Sequence, residues 1–179
     1  MNMLRWAQDC FQALREAAVA ALRRAEVVAS DETGVRIEGA NAYHWVFRSP
    51  DAVVHQAAPT RGAAVIRAMM DGHRPQVWLS DRCSAQQGHA GAQQTCLAHL
   101  ARDVAYAREA SEDPVPWRLE LWLRSAFDLA GAIMTFAAST LAAKRRALER
   151  RLAAILERQP GVIWRATSSA SFAAPAISF

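Results

Sequence analysis

Apolar residues first recur at helical spacing and then switch to alternation, and that change of period divides the chain. Leu4, Cys10, Phe11, Leu14, Ala18 and Leu22 share one helical stripe, with Arg15, Glu16, Arg23 and Arg24 on the polar side, so residues 1–26 read as a helix. From Val27 the pattern is that of strands. Val27-Val28-Ala29 is a short apolar run ending in Ser30-Asp31, Val35-Arg36-Ile37-Glu38 alternates, and Gly39-Ala40-Asn41 reads as a turn. Tyr43, Trp45 and Phe47 then alternate with His44, Val46 and Arg48, and Ser49-Pro50-Asp51 turns the chain into Ala52–Gln56. A three-strand antiparallel meander follows from that pattern.

Thr60 suits the N-cap of a helix over 61–70, closed by Gly72. Val77-Trp78-Leu79 is again short and apolar, and ends in Ser80-Asp81. Two glycines weaken any helix between Gln86 and Gln94, and Thr95-Cys96-Leu97 reads as a further strand leading into a helix through His99, Arg102 and Tyr106. Pro114 and Pro116 break the pattern, after which helices are expected over about 117–136 and 139–158, with Trp117 and Trp122 plugging a helical core. The stretch from Gln159 to Phe179, rich in Ala and Ser, has no period and is expected to be poorly ordered.

Composition narrows the class only a little. With 179 residues, 52% hydrophobic and 21% charged, the chain suits one soluble domain, alone or with a helical appendage. The 21 Lys and Arg against 17 acids leave +4, which permits a polyanionic partner without requiring one. Cys10, Cys83 and Cys96 are odd in number, so a reducing cytoplasm fits better than a disulfide framework. Met1–Phe11 lacks an apolar signal core, and the longest uncharged run, Leu129–Ala143, is 15 residues. A membrane span needs about 20, so no membrane is expected.

The chemistry sits in an echo. Val-Val-Ala-Ser-Asp at 27–31 and Val-Trp-Leu-Ser-Asp at 77–81 are both buried-type strands ending in an acid. The order between them, β-β-β-α-β, opens an RNase H-like α/β fold, in which the fourth strand lies beside the first and Asp31 faces Asp81. Two carboxylates that close repel unless a proton or a cation lies between them, and magnesium prefers such oxygen ligands. The plainer alternative stays open: Asp31-Glu32-Thr33-Gly34 also makes a reasonable turn.

Ser30-Asp31-Glu32-Thr33-Gly34-Val35-Arg36, followed by His44-Trp45-Val46-Phe47, resembles the first catalytic segment of insertion-sequence transposases of the IS66 family. Thr60-Arg61-Gly62 resembles its Arg-Gly helix start, Leu79-Ser80-Asp81 its second acid, and Cys96-Leu97-Ala98-His99-Leu100-Ala101-Arg102-Asp103 its downstream block. These blocks stand in family order over roughly residues 20–110. The resemblance implies a DDE-type core with Asp31 and Asp81 as the first two acids, holding magnesium or manganese. It further implies transposon-end DNA as partner, and full-length transposase as a second one. Cys96, His99 and Arg102 would be a supporting motif beside the site.

The departures shape the expectation as much. The family's third acid, a Glu in an Asn-Asn-x-x-Glu-Arg block, has no match, the family's N-terminal DNA-binding region is missing, and Gln86 stands where the family carries an aromatic residue. The sequence beyond Arg158 matches nothing recognised in the family. The chain therefore reads as a truncated transposase, inactive alone. Its expected organisation is an N-terminal helix (1–26), a partial RNase H-like core (27–110), a helical insertion region (111–158) and a tail (159–179). Two rival readings are a non-catalytic nucleic-acid-binding remnant using the basic run Lys144–Arg151, and a small zinc module built on Cys96 and His99 with Cys83 and His89. A solvated helix face is the plain alternative for the basic run.

Overall fold

A computed structural model describes residues 3–157; the expectation for the 159–179 tail lies outside them. The described residues form two compact units that divide between Cys96 and Leu97, inside the stretch expected as one core. Together they hold a five-stranded mixed sheet and five α-helices, a mixed α/β arrangement.

The first unit begins with α1 (Met3–Arg24), whose C-terminal part reaches the core through Leu22. β1 (Val27–Ile37) then runs for 11 residues, straight through the Asp31–Gly34 stretch where a turn was an open alternative. The strand persists because β2 (Ala40–Arg48) pairs with it antiparallel from Ala29↔Arg48 to Ile37↔Ala40, leaving no place for a break. The reversal falls on Glu38 and Gly39, with φ of 51° and 82°. A two-residue hairpin loop needs positive φ at both central positions, and glycine takes it without strain. The turn thus sits one residue earlier than the sequence suggested.

β3 (Val53–Ala58) pairs antiparallel with β2. The alternation read at 43–48 holds: Trp45 and Phe47 are fully buried and stack on each other. α2 (Ala63–Met70) buries Ile66, Met69 and Met70 and ends on Asp71 and Gly72, both at positive φ. Its N-cap is Gly62 rather than Thr60, whose hydroxyl instead accepts from the Gly62 N–H at 3.1 Å. The chain then crosses to β4 (Val77–Ser80), parallel to β1 with Val27↔Val77, Val28↔Trp78 and Ala29↔Leu79 in register. β5 (Ala92–Thr95) lies parallel to β4, three residues earlier than expected, because Leu97 already opens the next helix. The strand order is β3-β2-β1-β4-β5, with Leu22, Val28, Trp45, Phe47, Ile66 and Trp78 at the centre of its core.

The second unit holds α3 (Leu97–Ala110), α4 (Pro114–Gly131) and α5 (Ala138–Leu156). α4 begins at the very prolines that were read as breakers. Pro114 and Pro116 sit in its first turn, where a missing N–H costs nothing, and Asp113 caps it by accepting from the Val115 N–H at 2.8 Å. Val104, Val115, Leu119, Trp122, Leu123 and Ile155 form the core, and the Trp122 indole donates to the Leu148 carbonyl at 2.8 Å. Trp122 is the plug expected of it. Trp117 is not: it faces away and stays 53% exposed. No helix among the described residues is long and apolar enough to cross a membrane.

Candidate active site

The parallel pairing of β1 and β4 sets the site. The last paired residues are Ala29 and Leu79, so Asp31 and Asp81 each stand two positions further on, at the same end of neighbouring strands. Their surroundings differ. Asp31 lies within β1, where alternation turns Val28, Ser30 and Glu32 one way and Asp31 the other, exposed; its Oδ1 accepts from the Glu32 N–H at 3.1 Å. Asp81 lies just past the end of β4, free of that constraint. Its Oδ1 accepts from the Cys83 N–H at 2.9 Å in a tight local turn.

The carboxylate that meets Asp81 is Glu32. Ligand atoms of Glu32, Asp81 and Cys83 all lie within 4.8 Å of one another, a grouping that does not include Asp31. The Glu32 side chain is only 1% exposed. Burying a charge at that depth is costly unless it is paired and hydrogen-bonded, and both conditions are met. Arg61, from the loop before α2, donates from Nε to Glu32 Oε1 at 2.5 Å, and its Nη2 lies 3.6 Å from Asp81 Oδ2. Gln86 donates from Nε2 to Glu32 Oε2 at 2.5 Å.

Gln86 is fully buried in the loop after β4, and its other end is equally committed. Its Oε1 accepts from the Ser30 hydroxyl and, at 3.3 Å, from the Trp78 indole N–H. A continuous polar chain therefore runs Ser30–Gln86–Glu32–Arg61–Asp81 through the end of the sheet. The Glu32 carboxylate, by its hydrogen bond first and its charge second, holds the Arg61 guanidinium above its already high ordinary value, so Arg61 stays charged.

The donor set suits a divalent ion. Two carboxylate oxygens are the hard ligands magnesium takes, and the Cys83 sulfur is a softer donor that manganese or zinc accepts more readily. Sequence reasoning missed Glu32, Arg61 and Gln86 as partners here. The signal for Glu32 was present: Val28, Ser30 and Glu32 continue one alternation, which the turn reading of 31–34 concealed.

The downstream block is placed element by element. The Cys96 N–H donates to the Ser80 carbonyl at 2.7 Å, tying the end of β5 to the end of β4. His99 and Arg102 lie on α3 in the second unit, with Arg102 exposed. The zinc set is not gathered: among the described residues, groups of three or more possible ligands include Cys83 but not His89, Cys96 or His99. His89 places Nε2 2.8 Å from the Ala85 carbonyl and its ring against Trp78 at 5.4 Å.

Comparison with known families matches residues 1–178 to the one described as Transposase IS66 family, well beyond the 20–110 stretch that carries the short blocks and through most of the tail. No curated protein and no solved structure matches the chain.

Proposed function

The chain belongs to the IS66 family of transposases, and from that membership we propose that it is a partial DDE-type transposase, related to magnesium- or manganese-dependent cleavage and transfer of DNA strands at transposon ends. Residues 27–110 would carry an RNase H-like catalytic core, and 111–158 the helical insertion. The observation that carries this reading is the meeting of Glu32, Asp81 and Cys83 where β4 ends beside the continuing β1. Asp31 and Asp81 are the acids the family motifs assign, and Glu32 adds a third carboxylate at the same sheet end. Glu32 and Asp81 would hold a divalent ion there, which would supply Lewis acidity to activate a water or a 3′-hydroxyl and to stabilise the leaving oxygen.

The chain's own side chains prepare that place. Gln86 fixes one oxygen of Glu32 and Arg61 the other, so the carboxylate cannot rotate freely. The backbone N–H of Cys83 holds Asp81 by one oxygen, and the second lies 3.6 Å from Arg61 Nη2. The family's third acid has no counterpart, so a second ion would be poorly held and turnover is expected to be negligible. Incubation of the purified protein with supercoiled plasmid and magnesium or manganese tests this. Intact plasmid is expected; robust nicking that disappears in Asp31→Ala would overturn the inactivity.

The exposed side chains of Arg146, Arg150 and Arg151 on α5 favour a second reading, a non-catalytic DNA-binding remnant that competes with full-length transposase. Salt-sensitive DNA binding unchanged in Asp31→Asn would support it.

A further inference from the structure

Arg61 stands where the charge of a cation is needed. Its guanidinium reaches Glu32 at 2.5 Å and Asp81 at 3.6 Å, the same two carboxylates that converge with Cys83. A guanidinium brings one fixed positive charge and no lone pair, so it satisfies the acids without ligating anything and repels a metal ion that approaches the same oxygens. The two ends of this pair are unequally held. Glu32 is 1% exposed and gripped by Gln86, whereas the Arg61 side chain is 50% exposed on a loop. The Arg61 side chain can move out into water, whereas Glu32 stays in place and needs another cation once Arg61 has gone.

We infer that Arg61 is a displaceable internal counter-ion, a latch that closes the Glu32–Asp81 pair until a divalent cation takes its place. The inference rests on reading the cluster as a cation site. It follows that metal entry and the Arg61 ion pairs oppose each other through charge repulsion. Removing a unit charge a few ångströms from the ligands, even at the high effective dielectric of a half-exposed site, should strengthen cation binding by roughly tenfold or more.

The experiment is manganese binding to the full chain, followed by the electron paramagnetic resonance signal of free Mn²⁺, in the wild type, Arg61→Gln, Arg61→Ala and Asp81→Asn. Arg61→Gln and Arg61→Ala should bind about ten times more tightly than the wild type, and Asp81→Asn should lose binding. Equal or weaker binding in both Arg61 variants overturns the latch. Unchanged binding in Asp81→Asn overturns instead the cation site beneath it. In case both Arg61 variants fail to fold, the wild type supplies its own readout. Titration with diamagnetic Mg²⁺ should release the Arg61 Nε–H, seen by NMR as loss of its hydrogen-bonded shift and faster exchange with water. An Nε–H signal that stays put while Mg²⁺ binds sinks the proposal.

Discussion

The two strands that end in Ser-Asp look alike in sequence and lie side by side, yet their acids meet different fates. β1 carries Val27–Asp31 into six further strand residues, because β2 pairs with it as far as Ile37. β4 stops at Ser80, and Asp81 enters a turn. Strand geometry fixes which face each residue of β1 occupies, so Asp31 is turned away from the face that Ser30 and Glu32 share. Asp81, past the end of its strand, is released from that rule and joins Glu32. An acid after an apolar run is thus placed by whether pairing continues beyond it.

The largest effect is expected where the two strands share their core. Trp78 is fully buried in register with Val28, packs edge-on to Phe47, and donates to Gln86. Trp78→Ala should cost about 3–5 kcal/mol in urea unfolding, since it leaves a large cavity and strips a donor from a buried acceptor. A loss below about 1 kcal/mol would mean that β4 is not seated against β1 as described.

The next effect separates the neighbouring acids. Glu32→Ala deprives the buried Gln86 amide of its acceptor and Arg61 of its main partner, and is expected to destabilise by about 1–3 kcal/mol. Asp31→Ala, at an exposed position on the other face, should cost less than Glu32→Ala does. Equal losses, or a larger one at Asp31, would break the contrast between the two faces of β1.

Much of this sheet was legible in the chain. The alternation at 43–48 gave β2 its buried face, and the β-β-β-α-β order between the two Ser-Asp endings foretold that β4 lies beside β1. What escaped were features decided by partners far away in sequence. Glu32 looked like a turn residue because its neighbours Thr33 and Gly34 favour turns, and only the ladder with β2 overrides that preference. Gln86 stood out merely as a departure from an aromatic position. Its role depends on Ser30, Trp78 and Glu32 arriving around one amide, which no local pattern announces. Pro114 and Pro116 misled for the opposite reason: proline stops a helix from within but starts one well.

The smallest effect concerns a carboxylate whose arginine partners are both well exposed, a foil to the buried Glu32. Glu120 on α4 accepts from Arg108 and, at 2.6 Å, from Arg124 one turn away. The hydrogen bond from Arg108, then that from Arg124, lowers the Glu120 carboxyl below its ordinary value of 4.5. A group titrating lower when folded than unfolded stabilises the fold fully above the unfolded value, and that contribution disappears as the pH falls through the folded one. Glu120 therefore protects the helical unit at neutral pH and gives up its share only in acid. Both arginines are more than half exposed, so salt at about 1 M should shrink the effect. NMR titration of the Glu120 carboxyl checks it. The midpoint should lie below 4.5 and climb in both Arg108→Ala and Arg124→Ala, whereas a midpoint already at or above 4.5 in the wild type would show that these exposed pairs do not hold in solution.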